Sequence, residues 1–295
     1  MPVDNNLNNL EAAQKAFIDH LRGQKRSIST ILAYGKDVSQ LVEFLKKKAV
    51  ETANQISSEQ LEEFKKNLEQ KDYTLKSISR KLNSLKTFFR FLKTQGVIEN
   101  DPATTVSHPH YEAKPPRILS KMEYRALRDA SREDIRIAAI IELMLQTGIR
   151  IGEVSRIKTE DMKGEDIYIE PYQSQSSRMI PLNKAAKTAL DHYSADRPQV
   201  RTKNIFVTKT GRPFLARNIR AAINRYFRIA GIENASVNSL RNTWLAHHLS
   251  VGTSPVFLAK VAGHKRLATT EKYLEYLKEG KEQGEDKGKT KLEEL

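Results

Sequence analysis

The chain has 295 residues, enough for one large or two ordinary domains. Its 50 Lys and Arg against 36 Asp and Glu leave a net charge of +14, and it contains no cysteine. Disulfides and thiolate metal sites are thereby excluded, and the surplus positive charge points to a polyanionic partner, most simply nucleic acid. No apolar run approaches the ~18 residues of a membrane helix. The opening MPVDNNLNNLEAAQ lacks the basic-then-apolar order of a secretory signal. A cytoplasmic protein without a membrane partner is the expectation.

Residues 8–98 read as all-helical. A first helix covers roughly Leu10 to Arg22. A second opens at Ser29-Thr30-Ile31, with Tyr34, Val38, Leu41, Phe44 and Leu45 as its apolar positions. A third starts near Ser57, where Gln60 completes a capping box. The clearest is TLKSISRKLNSLKTFFRFLKTQG: Leu75, Ile78, Leu82, Leu85, Phe89 and Leu92 recur at steps of three and four, and Gly96 follows as a cap. Lys76, Arg80, Lys86, Arg90 and Lys93 fall on its other faces, where contact with a DNA backbone and simple solvation are both open readings. Four short helices make a small bundle of about ninety residues.

Residues 99–116 form a linker, whose DPATTVSHPHYEAKPP holds four prolines and no helical period. A second domain spans 117–278. Ser120 caps a helix to about Ala130, and Ile135 to Gln146 is an apolar helix broken by Gly148, with a restart from Arg150 to Ile157. Asp166 to Glu170 and Arg178 to Leu182 read as a β-hairpin around PYQSQSS. Lys184 to Tyr193 is helical, NIFVT (Asn204 to Thr208) is a short strand, and Leu215 to Ile229 is a helix closed by Gly231. Residues 279–295 form a highly charged tail, expected to be largely disordered.

The richest stretch is VNSLRNTWLAHHLSVGTSPVFLAKVAGHKRLATTEKYLEY, Val237 to Tyr276. It gathers Arg241, His264 and Tyr273 in one segment, with Arg150 upstream in TGIRIGEV. Cleavage of a phosphodiester by a phenol needs cations for the charge that builds on the phosphate oxygens, a proton carrier and the nucleophile itself. Arginine suits the first task because its planar fork stays charged and matches phosphate. His247 and His248 read as packing or surface residues, and Trp244 as core beneath Arg241. No metal or other cofactor is called for.

These residues carry a family likeness. The chain resembles the tyrosine recombinases, or phage integrase family, and most closely the two-domain Xer-type members. TGIRIGEV resembles the box of the first catalytic arginine, Arg150, with Glu153 as its supporting acid. SLRNT resembles that of the second, Arg241, and AGHKRLATTEKY the box of His264 and the nucleophile Tyr273. Tyr276, three residues on, is the rival nucleophile. The resemblance implies a mainly α fold with a small β-hairpin or sheet (α+β): an N-terminal four-helix, SAM-like core-binding domain followed by a catalytic domain. It also implies site-specific recombination of double-stranded DNA through a 3′-phosphotyrosine, carried out by a homo-tetramer on DNA, with the segment after Tyr273 docking on a neighbour.

Two positions depart from the family pattern. Asn238 stands where the family has a histidine three residues before the second arginine. Counting back from Pro181-Leu182, Gln173 stands where it has a lysine in the hairpin turn, and no Lys lies between Glu165 and Asn183. Lys163 and Lys184 flank the hairpin. An enzyme slowed by a changed general acid and a DNA-binding accessory that has lost cleavage are therefore both open; a type IB topoisomerase shares the chemistry but not the separate N-terminal bundle.

Overall fold

The computed structural model describes residues 5–112, 114–172 and 175–282. The chain divides into two compact units between Ala113 and Lys114.

The first unit is a helical bundle of α1 (Leu10–Gly23), α2 (Ile28–Lys46), α3 (Ser58–Gln70) and α4 (Leu75–Thr94). Their starts follow local hydrogen-bonding chemistry. The Ser27 hydroxyl accepts from the Thr30 amide at 3.0 Å, so α2 begins at Ile28, one residue earlier than Ser29-Thr30 suggested. Ser57 and Gln60 form the expected capping box of α3. Ile78, Leu82, Leu85, Phe89 and Leu92 are buried, as a single apolar helix face requires, whereas Leu75 in the first turn stays exposed. A polar knot ties α2 to α4: buried Asp37 accepts from Arg80 at 2.6 and 3.0 Å, from Lys81 at 2.9 Å and from Ser84 at 2.7 Å. Burial pushes the Asp37 carboxyl up, but these donors outweigh it and hold it below the usual carboxylate range.

Among its described residues the proline-rich segment has no helix or strand, yet its first half is not loose. Ala103 and Val106 are buried in the core of the first unit. Lys65 donates to the Ser107 carbonyl at 3.3 Å, and Ser79 pairs with His108 at 3.0 Å. Two small apolar residues spaced by three suffice to fasten it there.

The second unit contains α5 (Lys121–Ser131), α6 (Ile135–Thr147), α7 (Ile151–Val154), β1 (Met162–Lys163), β2 (Asp166–Ile169), β3 (Arg178–Pro181), α8 (Lys184–Asp196), α9 (Ala216–Ile229), α10 (Val237–Ser250), α11 (Pro255–Ala262) and α12 (Ala268–Glu282). The three strands form one antiparallel sheet in the order β1-β2-β3, with Ile167 opposite Ile180. Ile167, Ile169 and Ile180 face the core, which the helices complete. The restart after Gly148 is shorter than expected, one turn only. NIFVT is not a strand. Its bridges are isolated, Lys158 to Asn204 and Val207 to Pro213. The Arg197 guanidinium takes the carbonyls of Thr202, Asn204 and Ile205 at 2.8–2.9 Å, so a side chain satisfies what a strand partner would have. Helix α12 continues past Lys278, and residues 283–295 of the charged tail lie outside the described residues. Among the described residues no helix is long and apolar enough to cross a membrane.

Candidate active site

The final carbonyls of a helix have no intrahelical partners, and they attract cations. At the end of α11 three consecutive carbonyls each accept from a different arginine. Val261 takes Nε of Arg178 at 2.7 Å, Ala262 takes Nη2 of Arg241 at 2.6 Å, and Gly263 takes Nη2 of Arg150 at 2.7 Å. Gly263 caps the helix at φ +65°, and a Cβ there would stand 3.0 Å from the Arg178 guanidinium and 3.1 Å from that of Arg150. Both backbone and space demand glycine.

Each arginine comes from a different part of the unit. Arg150 is the N-cap of α7, placed by the break after α6; its backbone N–H donates to Glu153 at 2.9 Å and its guanidinium at 3.1 Å. Arg178 opens β3 and forks onto the same carboxylate at 2.8 and 2.7 Å. Arg241, buried on α10, also donates to the Gly148 carbonyl. Gly148 has φ +62°, and a Cβ on it would lie 2.2 Å from the Trp244 ring, so the turn that presents Arg150 fits only glycine.

Three guanidiniums against one carboxylate leave these four side chains at 3 − 1 = +2. Burial pushes the Glu153 carboxyl up, but the hydrogen bonds and charge of Arg178, with help from Arg150, hold it below the usual range. The surplus falls on its neighbours. Burial, then Arg150 and Arg178 against the offsetting Glu153, drive Arg241 down to about 9. Burial, then Arg241, Arg150 and Arg178, drive His264 down to about 4, so its imidazole is neutral at pH 7. His264 Nδ1 pairs with the buried Thr270 hydroxyl at 2.8 Å. Tyr273, half-buried on α12, lies within the field of Arg241; burial raises its phenol and the cation offsets part of the rise. Its hydroxyl donates to Asn242 Oδ1 at 2.8 Å. Tyr276 stands edge-on to it, with ring centroids 6.3 Å apart. Buried cations in excess of their counter-charge, beside a phenol and a neutral imidazole, make a receptor for an anion such as a phosphodiester.

Arg150, Glu153, Arg241, His264 and Tyr273 are thus gathered in one place. Asn238 is exposed on the first turn of α10, and its side chain makes no hydrogen bond among the described residues. Gln173 lies outside the described residues. Lys163 and Lys184 are exposed, and neither lines the cavity of about 520 Å³ between β3 and α11; Lys260 and Lys265 do, with His264. Sequence reasoning missed Arg178, Asn242 and Thr270. Arg178 had a signal: in RMIPL it shares the inward face with Ile180 while Met179 points out, and an inward-facing charge on a strand needs a partner.

In the first unit, Lys76, Arg80, Lys86 and Arg90 fall within one third of a turn of α4, by the helical period. Lys76 and Arg90 are exposed and Lys86 is partly so; Arg80 is exposed but held by Asp37.

The chain matches the Phage integrase family over residues 117–279 and the Phage integrase N-terminal SAM-like domain over residues 15–96. The tyrosine recombinase XerC of Roseiflexus castenholzii is 25% identical over 273 residues, 88% of this chain and 87% of that one. A lambda integrase dimer bound to a COC′ core site shares the fold, with a TM-score of 0.77 at 15% identity over 97% of this chain and 81% of that one. A lambda integrase tetramer bound to a Holliday junction does likewise, with a TM-score of 0.75 at 17% identity over 89% of this chain and 79% of that one. The chain belongs to the phage integrase family, the tyrosine-type site-specific recombinases, which cut and rejoin DNA strands.

Proposed function

We propose that Tyr273 is the nucleophile of strand cleavage and that Arg150 and Arg241 clamp the scissile phosphate. The phenol oxygen attacks phosphorus, the bond to the 5′-oxygen breaks, and a 3′-phosphotyrosine remains. The phenol proton passes to His264, whose neutral imidazole can accept it, and the leaving 5′-oxygen takes up a proton. Attack by the 5′-hydroxyl of a partner strand reverses these steps, so the energy of the phosphodiester is conserved. The carrying observation is the buried surplus of guanidinium charge at the end of α11, which only an anion compensates. Glu153 and Arg178 hold Arg150 in place.

The leaving oxygen needs a donor that Gln173 cannot be, since an amide does not transfer a proton near pH 7. Lys260 and Lys265 line the cavity together with His264, and their ammonium groups are assigned as candidate donors. Asn238 is assigned a milder role, a hydrogen bond to a phosphate oxygen of bound DNA. Lys76, Lys86 and Arg90 on α4 are assigned to the backbone of double-stranded DNA. A homo-tetramer on a four-way junction, with the segment after Tyr273 docking on a neighbour, is the assembly that strand exchange requires, and a cytoplasmic location fits a DNA substrate.

The test is covalent capture on nicked DNA carrying a candidate site from the flanks of the gene, comparing the native chain with Tyr273→Phe and Tyr276→Phe. A protein–DNA band lost only with Tyr273→Phe supports the reading. Binding without a band, on a site that a related enzyme cleaves, would instead mark a DNA-binding accessory.

A further inference from the structure

We propose that Asn242 is a positioning residue that holds the Tyr273 phenol away from the scissile phosphate until the segment at Arg117 shifts. The inference rests on Tyr273 being the nucleophile.

The hydrogen bonds form a chain. The Tyr273 hydroxyl donates to Asn242 Oδ1 at 2.8 Å, and Asn242 Nδ2 donates to the Arg117 carbonyl at 3.3 Å. The next residue on α10, Thr243, accepts the Leu119 amide at 2.8 Å. Two neighbouring side chains of α10 therefore grip residues 117–119, just past the point where the chain enters the second unit. A displacement of that segment pulls on the amide that holds the nucleophile.

The contact opposes attack for two reasons. An amide oxygen accepts a hydrogen bond but does not take the proton near pH 7, so a phenol held by Asn242 stays protonated. The phenol's described hydrogen bond goes to Asn242 and not to the base His264, whose Nδ1 pairs with Thr270. Successive helix residues also project about 100° apart. A phenol drawn to Asn242 is therefore drawn off the direction of the Arg241 guanidinium, although it remains close enough to feel that charge. To meet a phosphate held by Arg241, Tyr273 must leave Asn242.

The test places 3-fluorotyrosine at position 273 of the full chain and follows its fluorine resonance with and without site DNA, in the native background and in Asn242→Ala. Covalent capture on nicked DNA is timed in parallel. The native resonance should differ from that of Asn242→Ala in the DNA-free protein, and the two should converge once DNA is bound. Capture by Asn242→Ala should be several-fold faster at unchanged DNA affinity. Asn242→Ser, too short to span to the phenol, repeats the comparison if the alanine variant does not fold. Identical resonances in the DNA-free proteins, or slower capture by the variant, overturn the proposal. No covalent product from any of the chains would overturn the nucleophile assignment, whereas the resonances still report separately on the hold.

Discussion

Arg178 and Glu153 form a fork-to-fork ion pair at 2.8 and 2.7 Å, with both side chains almost wholly buried. The two residues join β3 to α7, and Glu153 in turn fixes Arg150. Removing one partner of a buried pair leaves a charge without its counterpart, at a cost of about 3–5 kcal/mol. Arg178→Met should lower stability by that order in denaturant unfolding. Arg178→Lys should recover only part of it, because an ammonium cannot fork.

Gly148 and Gly164 share a left-handed backbone, φ +62° and +66°, but differ in their surroundings. A Cβ at 148 meets the Trp244 ring at 2.2 Å, whereas one at 164 meets nothing within 4 Å. Gly164→Ala should cost only the backbone term, about 1–2 kcal/mol. Gly148→Ala should cost clearly more and also abolish covalent capture, since the turn it distorts presents Arg150. Paired urea titrations of the two variants make the comparison.

Acid should destabilise the second unit through its histidines. His248 and His264 are each driven down to about 4, chiefly by burial, from an ordinary value near 6.5. Between those values the unfolded chain binds protons that the folded chain refuses, so stability rises with pH in that window. It should be complete above about pH 6.5 and fall progressively toward pH 4, as unfolding midpoints at successive pH values will report. His248→Phe should flatten part of the slope. Bound DNA phosphate, by compensating the arginines, should move the His264 titration upward in an NMR measurement.

The basic face of α4 should show in the salt dependence of binding. Lys76→Ala, Lys86→Ala and Arg90→Ala should each weaken binding regardless of sequence and reduce the log–log salt slope by about 1. Arg80→Ala should differ by lowering stability, because Asp37 loses its two-pronged partner.

Gln173→Lys would put an ammonium in the hairpin turn where none exists. Removing a general acid commonly costs about 10²–10⁴-fold. The substitution should therefore speed cleavage several-fold or more in single-turnover capture, and an unchanged rate would count against this placement of the turn.

Local chemistry alone determined much of this protein. The three-and-four spacing from Ile78 to Leu92 marks the buried face of α4, Ser57 with Gln60 starts α3, and Gly148 ends α6, because each depends on neighbours within a turn or two. The order of Arg150, Arg241, His264 and Tyr273 was readable too, as short motifs that resemble those of the family. What those motifs touch was not. Arg178 finds the Val261 carbonyl 83 positions away, and Tyr273 finds Asn242 across 31. The same holds for NIFVT, whose first two carbonyls went to Arg197 rather than to a strand. Periodicity records which face of an element avoids water, whereas the partner of a buried charge is chosen by the packing of distant elements. Only the tertiary structure decided that three arginines would close the end of α11 and that an asparagine would hold the phenol beside them.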